Sequence, residues 1–336
     1  MKILVIFTGG TIGSVVDDNW ISVNSTAKYK LIEGYKKQCN DFETEFDIVS
    51  PYYILSENLS SNELTLLFKC VKESVGKNYD GIIITHGTDT LQYTSAAIGL
   101  LLPTPEIPII FVSSAYPLEN PLENGSQNFA AAVAFIKSKI ETGVFVAYKN
   151  EDETAVNIHT ATRIKAHAES SADIYSIDNN PFAYFNDNII DVNPDYKKGQ
   201  ISEEIVFSNF CAYPKILMIE SMPGNFYNYS LDGCSAVILS PYHSATLDVN
   251  NVKFVEFCIN AAERGIPVFL VNVPDGMRYE SVKKLNNLNV ISLPFGSKIS
   301  IYMKCWIALS ANKNIKEYVI KPVSQEFVDK GDSKWK

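Results

Sequence analysis

Four runs of this chain are apolar almost without interruption, at residues 3–7, 81–84, 109–112 and 144–147. A strand with one wet face alternates apolar and polar residues, whereas a strand covered on both faces is apolar throughout, as in parallel sheets. Helical patterns separate these runs. Ser60 with Glu63 forms a capping box ahead of Leu64, Leu67, Phe68, Val71 and Val75, which share one helix face. Helical periodicity returns at residues 91–102 and 127–140. The alternation predicts βαβ units and an α/β fold with a mostly parallel sheet flanked by helices.

From residue 178 to 213 the pattern gives way to Asn, Asp, Pro and Tyr, which reads as a connection containing one hairpin. A second, smaller βα series comes next, with strands expected at 215–219, 236–239 and 268–271 and helices at 252–264 and 297–309. The expected organisation is an N-terminal domain over residues 1–185, a linker over 186–213 and a C-terminal α/β domain over 214–336. At 336 residues the chain is long enough for two such cores.

A net charge of −9 with no basic block or stripe argues against nucleic acid as a partner. No window approaches the length of a membrane span, and the apolar start is too short for a signal peptide. Six scattered cysteines without a C-x-x-C, and four dispersed histidines, point to reduced thiols and to no metal site. A cytoplasmic protein is the expectation.

In open parallel sheets ligands bind beyond the carboxyl ends of the strands. Polar residues gather at four such places: "FTGGTIGS" from Phe7, "ILSENLSS" from Ile54, "THGTDT" from Thr85 and "VSSAYP" from Val112. If the sheet is as read, they converge on one rim. "GGTIGS" alone fits a structural turn or a phosphate loop, although G-x-G-x-x-G is not met. "THGTDT" fits a strand exit with a helix cap, but six consecutive turn and polar residues exceed what one cap needs. Lys165, in "TATRIKAHAES", is by itself a solvated charge. Together these parts suggest acyl transfer to a hydroxyl nucleophile, which needs a base to take its proton. A lysine serves if burial or a neighbouring cation lowers its pKa, with Asp89 orienting it; His86 remains a second candidate for the base.

"TGGTIGS" followed by "THGTDTL" resembles the paired signatures of the bacterial-type L-asparaginase/glutaminase family. The likeness runs over most of the chain, with "IKAHAES" similar to the family's lysine segment and "FGSKISIYMKCWIAL" to its last helix. The start resembles the cytoplasmic, type I-like branch. The resemblance implies a cofactor-independent amidohydrolase of an amino-acid amide, assembled as a homodimer or homotetramer. It implies Thr11 as nucleophile, with Thr88, Asp89 and Lys165 as a second catalytic group in which Lys165 pairs with the Thr88 hydroxyl. Ser56 would hold the substrate α-carboxylate, and Glu57 with Asp89 the α-amino group. The main-chain carbonyl of Ser114 would hold the side-chain amide, and N–H groups near Thr11 and Thr88 would form the oxyanion hole.

Two positions depart from the family. Where it has a loop tyrosine, this chain aligns Trp20, whose indole donates a hydrogen bond but accepts none. Either Trp20 is an ordinary loop aromatic, or Tyr29 or Tyr35 enters instead, or the nucleophile is activated otherwise, or turnover is weak. "SPYHSATLDVN" replaces an expected glycine-rich stretch that helps complete a neighbouring subunit's site, leaving His243, Ser244 and Thr246 as candidates. Three functions are weighed: L-asparaginase, the glutaminase component of a tRNA-dependent amidotransferase, and an amino-acid-binding regulatory protein that has lost turnover. The second would need an added N-terminal domain and a partner subunit, and Met1 stands directly at the first strand. Trp20 favours the third.

Overall fold

The computed structural model describes the chain except residues 18–19, 24–26, 203, 274–278 and 330–336, and the side chains of residues 13–28. The chain opens with β1 (Lys2–Phe7), a hairpin of β2 (Ser14–Asp17) and β3 (Trp20–Val23), α1 (Ala27–Gln38) and β4 (Glu45–Val49). Next come α2 (Ser61–Val75), β5 (Gly81–Thr85), α3 (Leu91–Leu101), β6 (Pro108–Val112), α4 (Gly125–Ser138), β7 (Gly143–Tyr148) and β8 (Val156–Thr160). The expected hairpin is β9 (Ala183–Asn186) with β10 (Ile189–Val192).

One eight-stranded sheet runs in the order β10-β9-β8-β7-β6-β5-β1-β4. Its β4, β1, β5, β6 and β7 are parallel, and β8, β9 and β10 continue it antiparallel. The hairpin therefore carries the sheet to Val192; it is anchored there by Phe182, whose ring lies 5.2 Å from that of Phe145.

Alternate residues of each parallel strand enter different cores. Leu4, Ile6, Ile82, Ile84 and Phe111 pack with α2 and α3 on one face. Ile3, Val5, Ile83, Ile110 and Val112 pack with α1 and α4 on the other. That is why the strand sequences lack polar alternation. On α2 the capping box is present: Ser60 accepts from Asn62 N at 3.2 Å and its own N–H donates to Glu63 at 3.2 Å.

The second unit is a four-stranded parallel sheet of β11 (Ile216–Glu220), β12 (Ala236–Ser240), β13 (Val268–Leu270) and β14 (Val290–Ser292). Between its strands run α5 (Val252–Glu263), capped by Asn251, and α6 (Glu280–Asn286). A two-stranded piece, β15 (Phe295–Gly296) with β16 (Phe327–Val328), brackets α7 (Lys298–Ser310) and α8 (Ile315–Ile320). Helix α7 joins the units. Its Met303 and Ile307, one turn apart, enter the first core, while Ile301 and Cys305 enter the second. Burying each such side chain stabilises by roughly 1.5–3 kcal/mol, so one helix holds both sheets. Among the described residues no helix is long and apolar enough to cross a membrane.

Helix α7 also carries a fully buried ion pair, Lys304 to Glu326, at 2.5 Å with neither side chain exposed. Glu326 also accepts from Val323 N and Ser324 N, fixing the turn before β16. Burial pulls the Lys304 pKa down, and Glu326 opposes that pull. Removing one member strands the other, so Glu326→Ala should cost about 3–5 kcal/mol in denaturant unfolding. A loss below about 1 kcal/mol, the range of a surface pair, would show that the cluster does not hold this end of the chain.

Candidate functional site

The rim of the large sheet is built by backbone contact between loops. After β1, Gly9 and Gly10 adopt positive φ, +107° and +74°. Gly10 N donates to Ile54 O and Ile54 N to Thr8 O, each at 3.0 Å, which ties the first loop to the segment before Ser56. A Cβ on Gly10 would lie 2.3 Å from Gly87 N, and one on Gly87 would lie 2.4 Å from Ser56 Oγ. Only glycine permits this approach. Thr11, Ser56 and Thr88 are each one residue from such a contact or in it, so three distant segments meet on one rim.

Hydrogen bonds fix the loops further. Thr8 Oγ1 donates to Thr85 O at 2.7 Å, and Thr90 Oγ1 to Ser56 O at 2.9 Å. Thr90 occupies the N-cap position of α3 yet makes no side-chain cap there. Its hydroxyl joins loops instead of capping a helix. Ser56 Oγ is 3.4 Å from Asp89 Oδ2, a long contact that places the two side by side. Ile12, fully buried, anchors the turn that holds Thr11. The fourth strand end joins through Ser113, which donates to His86 O at 2.7 Å. The Ser114 hydroxyl is engaged by Tyr116 O at 2.6 Å and by Gly125 N, which donates to it at 3.2 Å. Ser56 and Ser114 are buried, Thr11 and Thr88 half-buried, and Glu57 and Asp89 exposed.

His86 is a core residue. Its ring is buried, Nδ1 lies 2.8 Å from Gly87 O, and its edge meets Phe111. Burial pushes its pKa from the ordinary 6.5 down to about 4, with the Gly87 carbonyl opposing. A neutral, enclosed imidazole holding a loop carbonyl is a support for the rim.

Lys165 is exposed at the end of a segment that comes after β8. Its ammonium donates to Asn179 Oδ1 at 2.7 Å and lies 6.0 Å from the Tyr175 ring centre. It lines a cleft of about 640 Å³ between the units, facing Glu220, Ser240 and His243. His243 lines the same cleft, and the Ser244 and Thr246 hydroxyls pair with each other at 2.9 Å. Trp20 opens β3 opposite Asp17, and its side chain lies outside the described residues. Tyr35 does not enter the rim, because its hydroxyl donates to Asp41 at 2.7 Å and its ring packs on Phe46 and Phe129. Tyr29 is exposed on the first turn of α1. Among the described residues no group of three or more His, Cys, Asp or Glu side chains could hold a metal ion.

One residue that no motif singles out belongs to the rim. His167 places Nε2 2.9 Å from Thr88 O and Nδ1 3.0 Å from Asp173 O.

The fold is that of the asparaginases, and the chain belongs to the asparaginase family. Residues 2–198 match the family model described as Asparaginase, N-terminal. A glutamyl-tRNA(Gln) amidotransferase subunit from Methanobrevibacter smithii is 24% identical over 347 aligned positions, covering 99% of this chain and 78% of that protein. The protein of the same name from Methanosarcina acetivorans is 33% identical over 177 positions, 52% of this chain and 41% of that one. The chain matches the thermostable L-asparaginase from Thermococcus kodakarensis with a TM-score of 0.80 at 22% identity, covering 98% of this chain and 99% of that one. L-asparaginase I from Vibrio cholerae gives a TM-score of 0.79 at 21% identity, covering 97% and 99%. At these identities the two structures establish the shared fold.

Two measurements probe the rim. Gly10→Ala places a methyl against backbone at positive φ, and should destabilise by about 1–3 kcal/mol. Gly34, in the exposed middle of α1 with nothing within 4 Å of a built Cβ, is the control. Gly34→Ala should stabilise by about 0.4–1 kcal/mol, and equal behaviour of the two variants in urea would contradict the contact.

The second measurement is a pH series. Unfolded His86 takes up its proton near 6.5, whereas the folded ring does so only at about 4. The unfolded state binds more protons across that window, so stability present above it is lost as pH falls. The denaturation free energy should therefore drop more steeply from pH 6.5 to 4 in wild type than in His86→Leu; parallel curves would refute a neutral buried ring.

Proposed function

We propose that this protein is an L-asparaginase that hydrolyses L-asparagine to L-aspartate and ammonia through a threonine acyl-enzyme. The observation that carries the reading is the contact of Gly10 with Gly87, which sets the loops of Thr11 and Thr88 against each other beside Ser56 and Asp89. Membership of the asparaginase family supports it.

In the proposed sequence Thr11 Oγ attacks the carboxamide carbon as its proton passes towards the Thr88–Lys165 pair, with Asp89 orienting the lysine. The C–N bond then breaks and nitrogen leaves, protonated, as ammonia. Water attacks the acyl ester, the bond to Thr11 breaks, and aspartate departs with the threonine hydroxyl restored. Main-chain N–H groups near Thr11 and Thr88 would stabilise the oxyanion, a contribution of roughly 10²–10³ in rate. Ser56 receives the α-carboxylate, Glu57 and Asp89 the α-ammonium, and the Ser114 carbonyl the amide. No cofactor takes part. Assembly into a homodimer or homotetramer, and action in the cytoplasm, belong to the same proposal and rest on the resemblance of the motifs.

A second reading has its own observation. The curated relatives carry the name of an amidotransferase subunit acting on glutamyl-tRNA(Gln), and one match covers nearly the whole of this chain. On that reading the same rim releases ammonia from an amide for transfer to a charged tRNA.

Ammonia release measured with L-asparagine, L-glutamine and both D-isomers separates the two. Preference for L-asparagine without tRNA supports the asparaginase, and turnover that appears only with glutamyl-tRNA supports the amidotransferase. With the active amide, Thr11→Ala and Thr88→Val should each lower turnover by orders of magnitude, while losing about 1 kcal/mol or less of stability. Folded variants turning over like wild type would remove both threonines from the mechanism.

A further inference from the structure

We propose that His167 is a positioning residue that locks the segment of Lys165 to the loop of Thr88. The inference rests on the reading of that loop and that lysine as parts of one reaction centre. Lys165 N donates to Tyr175 O at 2.9 Å, and Ile164 bridges Ser176, so the chain folds back on itself between these points. The far arm of this strap is fastened to the end of β7. Asn150 and Ile174 exchange two hydrogen bonds, at 3.1 and 2.9 Å, and Glu151 N donates to Asp173 Oδ1 at 3.0 Å.

His167 stands between the fixed arm and the rim. One ring nitrogen reaches Asp173 O within the strap, and the other reaches Thr88 O across it. Thr88 O also accepts from Leu91 N at 3.3 Å, in the first turn of α3. The ring therefore connects the anchored arm, the lysine segment and the helix start behind Thr88. A carbonyl oxygen only accepts, so each contact needs an N–H from the ring; the neutral ring supplies one and the protonated ring both. The protonated ring and the Nε2–H tautomer of the neutral ring both make the link to Thr88 O, and neither touches a reacting atom. The residue's contribution is distance: a lysine base held near its partner hydroxyl works, and displacement by about 1 Å costs on the order of a hundredfold.

The test compares His167→Phe, which keeps a ring of similar bulk without a donor, with His167→Gln, whose amide restores one. In the wild type and both variants, ammonia release gives kcat and KM, and amide hydrogen exchange is followed over residues 86–91 and 164–168. Phe should lower kcat by about tenfold to a hundredfold with KM within about twofold, and Gln should recover about a third or more of the lost rate on a logarithmic scale. Exchange in both segments should quicken in Phe by about tenfold, the factor an ordinary hydrogen bond is worth. His167→Ala replaces Phe if that variant does not fold.

An unchanged kcat, a rise in KM alone, or Gln no better than Phe would overturn the inference. So would unaltered exchange, which is read whether or not the wild type turns over any amide. A wild type that releases no ammonia but loses protection in His167→Phe would refute the activity and leave the tether standing.

Discussion

The organisation of the rim depends on two glycines in van der Waals contact across adjacent strand exits. Phe7 pairs with Thr85 in the parallel ladder of β1 and β5, so both chains leave the sheet side by side. Whether they stay together depends on the loop residues beyond those exits. Gly10 and Gly87 leave no side chain between them, and the next position on each loop, Thr11 and Thr88, carries a hydroxyl. A wider separation would place those hydroxyls on two independent turns. The remaining links act on this contact: Ile54 clasps Gly10, Thr90 clasps Ser56, and the neutral His86 ring holds the Gly87 carbonyl from below.

Much of this was legible in the sequence because it is local or periodic. Unbroken apolar runs announced β1, β5, β6 and β7, and the Ser60–Glu63 spacing announced the start of α2. The polar strand ends were legible too, since the length of "THGTDT" exceeded any capping need. Less visible were strands whose patterns are short or mixed. Glu45–Val49 is an edge strand with its side chains half in water, and Val156–Thr160 interleaves Asn157 and His159 with apolar residues. His159 is nonetheless buried and bonded to Ser176, a pairing that periodicity does not register. His167 escaped for a related reason: its partners are main-chain carbonyls, which have no signature in a sequence.

Lys165 shows how far its placement lies from local sequence. The residues just before it are held by the end of the chain. Thr162 Oγ1 donates to Ser324 O at 2.6 Å, and Arg163 Nε to Gln325 O at 2.6 Å. From α7, Ser300 Oγ donates to Thr162 O at 2.5 Å and Ser297 Oγ to Ile164 O. Arg163 is almost fully enclosed, with its guanidinium 4.6 Å from the Tyr196 ring centre and Nη1 donating to Lys197 O. Carbonyls and an aromatic face offset part of the cost of burying that charge, which burial alone would make prohibitive.

These contacts tie the second unit to the segment that carries Lys165. The Lys304–Glu326 pair fixes the turn at Val323 and Ser324; that turn holds Thr162 and Arg163, and they begin the strap of Lys165. The bonds from Thr162 and Arg163 to that turn each span 162 residues of chain, and Thr162, Arg163, Lys304 and Glu326 are all buried. A disturbance at α7 therefore has two routes to the lysine, through the Ser297 and Ser300 hydroxyls and through the turn before β16. The loops of Thr11 and Thr88 are set by glycine contacts and the sheet itself, and His167 is the link from the strap to Thr88. Stability of the second unit and placement of Lys165 are thus coupled, while the loop of Thr11 is held from within the first unit.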